Sequence, residues 1–568
     1  VRRWTGGNPL FVREMVRLLV SQGRLAVLSD ASDAPALPDT VRTVLDQRLA
    51  TISAPGRVVL AALAVLGDGA PIPLLVEVAE CGEAEVRGAL AEASGARLLG
   101  DEQLPAFAHD LVRESVRRAT PDHELTELHR RAAVAAPRWV GDGHRRPAAV
   151  AGHLAAAGDH RAAVPHRLLA ADQAMSRNAW HEAAEQLRLA REWTAPTPDL
   201  LIRLGEALGG CDETSARKVF LEAVSLARID GDADAFARAA LGYGAGLTGF
   251  EVSLFDSRQQ RLLEEALDLL PPGDASLRSW VLARLSVALS FTADTTRRRE
   301  MAEEAVAMAR RVGDRAALAR ALASWCDAVA GPDDVERRLE ASYEMERAAR
   351  ASGDPIHVLL ALRFRVVALL ELGDVVRARQ EVGAFAAEAA DIPHPSVSWY
   401  VPLFQGTLAL IAGKPEITHG TAAEVMEAGR RTGSVNASVL GLTQLLGCLL
   451  SEERYDDICV LADAQPAAPP DYEPSPSLRP LLAFIDVLAG REAAARAELR
   501  RACGEGFAGL PLHDSERLGS LCGYVEVATR LDDVAAADAL FELLAPYRHR
   551  FVVDGIAAGF WGSVSLWA

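Results

Sequence analysis

Apolar residues recur every three or four positions along most of this chain, the period of a helix with one buried stripe. Residues 8 to about 23 show it first. Phe11, Val12, Met15, Val16, Leu18 and Leu19 give the spacing, and Gly23 stops the run. A loop rich in Asp, Ser, Ala and Pro follows at 29–38. The pattern then predicts helices over 39–52, 54–66, 72–80 and 84–98. The last of these runs into "GARLLGDEQLPAFAHD", which predicts two strand-sized pieces around Gly100-Asp101-Glu102. Helices followed by a hairpin is the element order of a winged helix. Two further helical patterns, 109–120 and 121–136, close this region.

Beyond residue 150 the same pattern becomes periodic at a larger scale. Turn signals stand at Gly231-Asp232, Gly273-Asp274, Gly313-Asp314, Gly353-Asp354, Pro393-His394-Pro395 and Gly433-Ser434. The first four glycines are separated by 42, 40 and 40 residues. A second series lies midway, at Ala293-Asp294, Gly331-Pro332-Asp333, Gly373-Asp374, Gly413, Glu452-Glu453 and Gly490. Each unit is therefore two helices and two short turns, too small to bury its own apolar face, so neighbours must stack. The repeats begin near "HLAAAGDHRAAV" at 153–164 and are expected to run to the end of the chain. The fold class read from this is all-α: a winged-helix domain followed by a right-handed, tetratricopeptide-like (TPR-like) solenoid of two-helix repeats of about 40 residues. The domains are 1–28, 36–140 and 147–568.

Composition supports a helical chain and removes several functions. The 568 residues are 50% apolar but only 5% aromatic, and the net charge is −18 with no basic block. That is the wrong balance for an electrostatic nucleic-acid surface. Within 84–94 a recognition helix would carry one arginine against internal glutamates, so no DNA contact is expected from this chain. The seven cysteines include no CxxC pair, which reads as reduced thiols in a cytoplasmic protein. No apolar run approaches a membrane span, and no signal peptide opens the chain. The only lysines, Lys218 and Lys414, lie outside any G-x-x-x-x-G-K-[ST] context. The chain therefore has no Walker A motif and is expected not to be an enzyme. The histidines at 144, 153, 160 and 166 fit no zinc spacing, and no metal is expected. Residue 1 is Val and the closing "GFWGSVSLWA" is apolar, so both ends are expected to continue into a larger protein.

Three stretches, "TGGNPLFVREMVRLL", "LPDTVRTVLDQRLATISAPGRVVLAALAVLG" and "FAHDLVRESV", resemble the back half of a STAND-class signal-transduction ATPase. In order they are similar to the lid end of the nucleotide-binding domain and the winged helix. The subgroup most similar is that of large ATP-binding regulators of the LuxR type, and "LLAPYRHRFVVDGIAAGFWGSV" (543–563 region) resembles their final repeats. The resemblance implies ATP or ADP as cofactor of a full-length parent and none for this chain alone. It implies that Gly7, Asn8 and Pro9 form a GxP motif whose proline packs on adenine. It also implies that "HDLV" at 109–112 is an MHD-type motif whose His109 reaches the β-phosphate of ADP; Ala108 stands where that motif has methionine. The implied function is the regulatory, effector-sensing arm of an ATP-dependent transcriptional regulator. A nucleotide-binding domain would precede it, a helix-turn-helix would follow, and the parent would oligomerise with nucleotide. The alternatives are a TPR-like protein-interaction scaffold, and the regulatory tail of a nucleotide cyclase or kinase.

Each candidate also has a plainer reading. Pro9 fits the first position of a helix, and Asp110 suits the positive end of a helix dipole. His109 is also a polar residue at a helix start. Glu303-Glu304 and Asp333-Asp334 read as solvated helix faces. Trp280, Arg284, Trp325, Arg363, Trp399 and Tyr400 fall at nearby repeat phases. They read either as inter-helix core or as a groove that takes a small-molecule or protein effector.

Overall fold

Each Gly-Asp step ends one helix and begins the next. The computed structural model describes residues 39–100, 104–138, 147–245, 256–290, 295–392, 395–432, 434–464, 475–510 and 512–568. In it Gly231 and Gly353 follow helix ends at φ 68° and 69°, the left-handed region that glycine enters without steric cost. The aspartate that follows then caps the next helix. Asp232 accepts from the Ala235 N–H at 2.9 Å, Asp354 from His357 at 3.1 Å and Asp374 from Arg377 at 3.1 Å.

The chain divides into two compact units, Val1–Pro196 and Thr197–Ala568. In the first unit the helices are α1 Asp39–Ala50, α2 Ala54–Leu66, α3 Ile72–Ala79, α4 Glu83–Gly95, α5 Asp110–Ala119, α6 Asp122–Ala135, α7 Pro147–Ala156, α8 His160–Met175 and α9 Trp180–Trp193. In the second they are α10 Pro198–Gly209, α11 Glu213–Asp230, α12 Ala233–Ala245, α13 Ser257–Leu269, α14 Ser276–Ala288, α15 Thr295–Val312, α16 Arg315–Ala328, α17 Val335–Ser352, α18 Pro355–Glu371, α19 Val375–Ala390, α20 Pro395–Ser398, α21 Tyr400–Ile411, α22 Pro415–Thr432, α23 Val435–Ser451, α24 Tyr455–Asp463, α25 Arg479–Leu488, α26 Glu492–Gly504, α27 Arg517–Arg530 and α28 Val534–Leu544. The fold is all-α, and the second unit is a helical solenoid.

In the first unit, Leu60, Leu63, Leu74, Val78, Val86 and Val112 build one core beneath α1–α6. The start of α2 is fixed by Glu92, which accepts from the Ser53 N–H at 2.8 Å and from its hydroxyl at 2.7 Å. The strand-sized pieces expected after α4 meet in an antiparallel bridge between Leu99 and Phe107. The Gly100 N–H donates to Ala106 O and the Ala108 N–H to Leu98 O, both at 3.0 Å. The tip expected at Gly100-Asp101-Glu102 lies partly outside the described residues.

In the second unit, alternate helices form a row: α10 touches α12, α12 touches α14, and so on through α16 and α18, then α21 to α23 and α25 to α27. Each helix between them packs on the row members that flank it in sequence. Small residues set the spacing. Phe220 of α11 fills a slot between Gly205 and Gly242; an added methyl would lie 2.7 Å from its ring at Gly205 and 2.2 Å at Gly242. The helical repeats do not run to the chain end. After α28 the chain makes a short 3-10 turn, Ala545–Tyr547, and then an antiparallel hairpin of β1 Phe551–Val553 and β2 Phe560–Ser563. Valines and aromatics broken by Gly555, Gly559 and Gly562 suit a tight hairpin better than a helix.

The Phe220 slot gives a direct test. Gly242→Ala forces an overpacked contact and should lower stability by about 1–3 kcal/mol. Gly383→Ala, on an exposed face of α19 with nothing near the new methyl, should leave stability unchanged or raise it by up to about 1 kcal/mol. Urea unfolding followed by circular dichroism reads both.

Candidate functional site

The helix α18 is buried on every side, from Val358 to Glu371 without a break. A helix packed on one side only would show a single buried stripe. One side of α18 is covered by α17 and α19; β1 packs on it as well. The same hairpin reaches three other helices of the alternating row: β1 touches α27, and β2 touches α21 and α23. A row of helices that meets one hairpin at four places curves around it, so this is the inner face of the array.

The contacts combine shape with a few polar anchors. Phe551 and Phe560 pair with ring centroids 5.3 Å apart against the core of α14–α23. Trp561 lies over two glycines; a methyl at Gly447 or Gly519 would sit 3.6 or 3.7 Å from its ring. Thr407 and Gln444, both fully buried, hold the hairpin turn by its backbone. Thr407 Oγ1 donates to Ala557 O at 2.6 Å, and Gln444 Nε2 donates to Leu403 O at 2.8 Å and Ala558 O at 3.4 Å. Gly406 leaves the room that Gln444 needs. Such bonds read a backbone path rather than a side-chain sequence.

A charged rim surrounds these contacts. Arg550, 7% exposed, pairs with Glu336 at 2.6 Å. The Tyr547 hydroxyl donates to Asp333 at 2.7 Å, and Arg299 meets His513 Nε2 at 3.1 Å. Beneath them Arg338 and Glu371 form a buried pair at 2.5 Å. Two more carboxyls meet at the hairpin turn. Asp554 accepts N–H bonds from Ile556, Ala558 and Gly559 at 3.2, 2.8 and 2.6 Å. Glu516 accepts from the Gly555 N–H and the Ser515 hydroxyl, each at 3.1 Å. With three backbone donors, Asp554 is the better-held anion. Burial and the Asp554 charge push Glu516 up to about 8.

The residues singled out in the sequence fall in three places. Gly7, Asn8 and Pro9 lie outside the described residues. His109 is the residue preceding α5, in extended backbone, and burial together with the nearby Arg48 guanidinium lowers its pKa. Asp110 opens α5 and lies 3.7 Å from Arg113. The aromatic and arginine set belongs to the second unit, and all of it but Trp280 is buried. Trp399 and Tyr400 are each 1% exposed and stack at 3.9 Å. Trp325, Arg284 and Arg363 are buried too, with Arg363 over the Phe364 ring at 4.2 Å. Trp280 is half-buried and lies beneath Arg320 at 4.2 Å. Of the four histidines weighed for zinc, His144 lies outside the described residues and His153 faces His129 at 3.0 Å between ring nitrogens.

Sequence reasoning passed over Thr407, Gln444, Glu516, Arg550 and Asp554. The available signal was a glutamine inside the apolar helix "GLTQLLG" and glycines on both sides of Phe560-Trp561.

No protein-family model matches the chain, and no curated protein matches it. Among solved structures, one is similar at TM-score 0.31 and 13% identity, covering 81% of this chain and 70% of the other. It is a Signal Transduction ATPase with Numerous Domains (STAND) protein with a tetratricopeptide repeat sensor, from Pyrococcus horikoshii. Yeast Tom70 is similar at TM-score 0.31 and 12% identity, covering 68% of this chain and 85% of Tom70. Scores at this level assign neither a family nor an activity. Among the described residues, no helix is long and apolar enough to cross a membrane.

Glu516 makes the docked hairpin sensitive to pH. Its folded pKa is raised, so the folded state holds a proton that the unfolded state releases. That contribution is complete below about pH 4.5 and is lost as pH rises through about 8. E516Q removes the effect, and its stability relative to the native protein should grow by about 1–3 kcal/mol across that window. Urea midpoints of the two proteins measured against pH check this; parallel curves would contradict it.

Proposed function

We propose that the second unit is a protein-interaction scaffold whose binding face is the inner row of helices, held in this state by the chain's own C-terminal hairpin. The observation that carries the reading is the way Thr407 and Gln444 grip the Ala557 and Ala558 carbonyls. These are backbone contacts set in an apolar bed, the means by which a groove accepts a peptide. The hairpin stands where a partner segment would lie.

The wider role we propose is the effector-sensing arm of a STAND-type, ATP-dependent transcriptional regulator. It rests on the resemblance of Gly7-Asn8-Pro9 and "HDLV" to the GxP and MHD-type motifs, in the expected order along the chain. In this reading the region 36–140 is a winged helix that His109 and Pro9 clamp to ADP on a preceding nucleotide-binding domain. A small-molecule or protein effector in the solenoid shifts the balance towards the ATP-bound, oligomerising state. Coupling between the two sites is reciprocal, of order 1–3 kcal/mol. The same arm could serve a nucleotide cyclase or kinase without change to this scheme.

A labelled peptide copying residues 548–564 tests the scaffold reading. In the full chain carrying V553D and W561A, the hairpin is loosened while the helices that receive it are untouched. The peptide should bind this variant in a saturable way and bind the native chain at least tenfold more weakly. A variant that keeps its helical circular dichroism yet binds no peptide would contradict the reading.

A further inference from the structure

Three side chains capable of holding a metal converge where α22 meets the end of α23. His419 projects from the first turns of α22. Cys448 lies in the last turn of α23, and Glu452 is the residue that ends that helix, one turn beyond Cys448 on the same face. His419 Nε2 is 2.9 Å from Glu452 Oε2, and all three potential ligand atoms lie within 4.8 Å of one another. The Cys448 sulfur is fully buried and lies 3.2 Å from Pro415 O.

We propose that His419, Cys448 and Glu452 form a zinc site. Thiolate and imidazole together favour zinc over magnesium or calcium, and a carboxylate completes a common ligand set. Bond lengths of roughly 2.0–2.3 Å place the ligand atoms of a tetrahedral zinc roughly 3.5 Å apart. The His419–Glu452 contact would open by about half an ångström and the sulfur would move inward, which rotation about side-chain bonds can supply. Three protein ligands leave a fourth position for water or another donor, the open type of zinc site. The thiol loses its proton on binding, and that proton leaves to solvent. That proton competes with the metal, because burial and the Glu452 and Glu416 carboxylates raise the Cys448 thiol; the same carboxylates attract a cation. A divalent cation is what would turn a thiol in that setting into a thiolate. Arg454, 3.4 Å from Glu452 Oε2 and exposed, can swing into solvent when the metal enters.

The site is independent of the peptide-binding reading. Cobalt(II) titration of the full, reduced chain tests it. Cobalt should bind with a near-ultraviolet thiolate-to-cobalt charge-transfer band and the visible absorption of a tetrahedral ion, and one equivalent of zinc should remove both. C448S should abolish the charge-transfer band. H419A and E452Q, read by competition against a chromogenic zinc chelator, should each weaken zinc binding at least about tenfold. Circular dichroism identifies any variant that has lost its fold, and native-chain titration alone still decides the case. Absence of the band in the native chain, or its survival in a folded C448S variant, overturns the proposal.

Discussion

An apolar helix surface has to be covered, and in this protein the surface that most needs covering is the inner side of α18. Val358–Glu371 is buried continuously, and neighbouring repeats can hide only the sides and back of such a helix. The rest of the second unit is arranged around meeting that demand with the last residues of the chain. The array curves so that α18, α21, α23 and α27 all reach one hairpin. Glycines at 447 and 519 open the bed for Trp561. Segments 214 residues apart are then pinned by Tyr547 to Asp333 and Arg550 to Glu336.

The docking is not wholly favourable, as the proposed role of the hairpin as an occupant requires. Its turn places Glu516 beside Asp554; burial raises both carboxyls, and Asp554, with three backbone N–H donors, is the better held of the two. Arg338 and Glu371 are buried as a pair, where desolvation offsets much of their attraction. Against these costs stand the apolar contacts of Phe551, Val553, Phe560 and Trp561 and the backbone grip of Thr407 and Gln444. A competing segment that offered carbonyls and small apolar side chains would meet the same bed without bringing an Asp554 to Glu516.

Much of the helical architecture was legible because its signals are local. A glycine that must turn left-handed and an aspartate that must cap stand side by side at 231–232, 353–354 and 373–374, and such pairs mark the repeat without any tertiary information. The predicted helix over 54–66 is α2 to the residue. The hairpin was missed because short apolar runs such as "FVV" and "GFWG" carry no period that separates strand from helix, and because the resemblance favoured further repeats. The aromatic phases could not decide between core and groove, since one helix face serves either purpose; Trp399 and Tyr400 turn out to be packed at 1% exposure. His419, Cys448 and Glu452 carry no spacing motif, as two helices have to pack before they meet.

Native-state hydrogen exchange of the full chain tests the central claim most directly, that the hairpin is a separable occupant of the inner face. The amides to compare are those of Val552, Val553 and Ala558 in the hairpin and those of Leu362 to Leu369 in α18. The account predicts that the hairpin amides exchange through an opening of lower free energy than that which exposes α18. Equal opening free energies for the two sets, under every denaturant concentration, would show that hairpin and helices are one cooperative core and would contradict it.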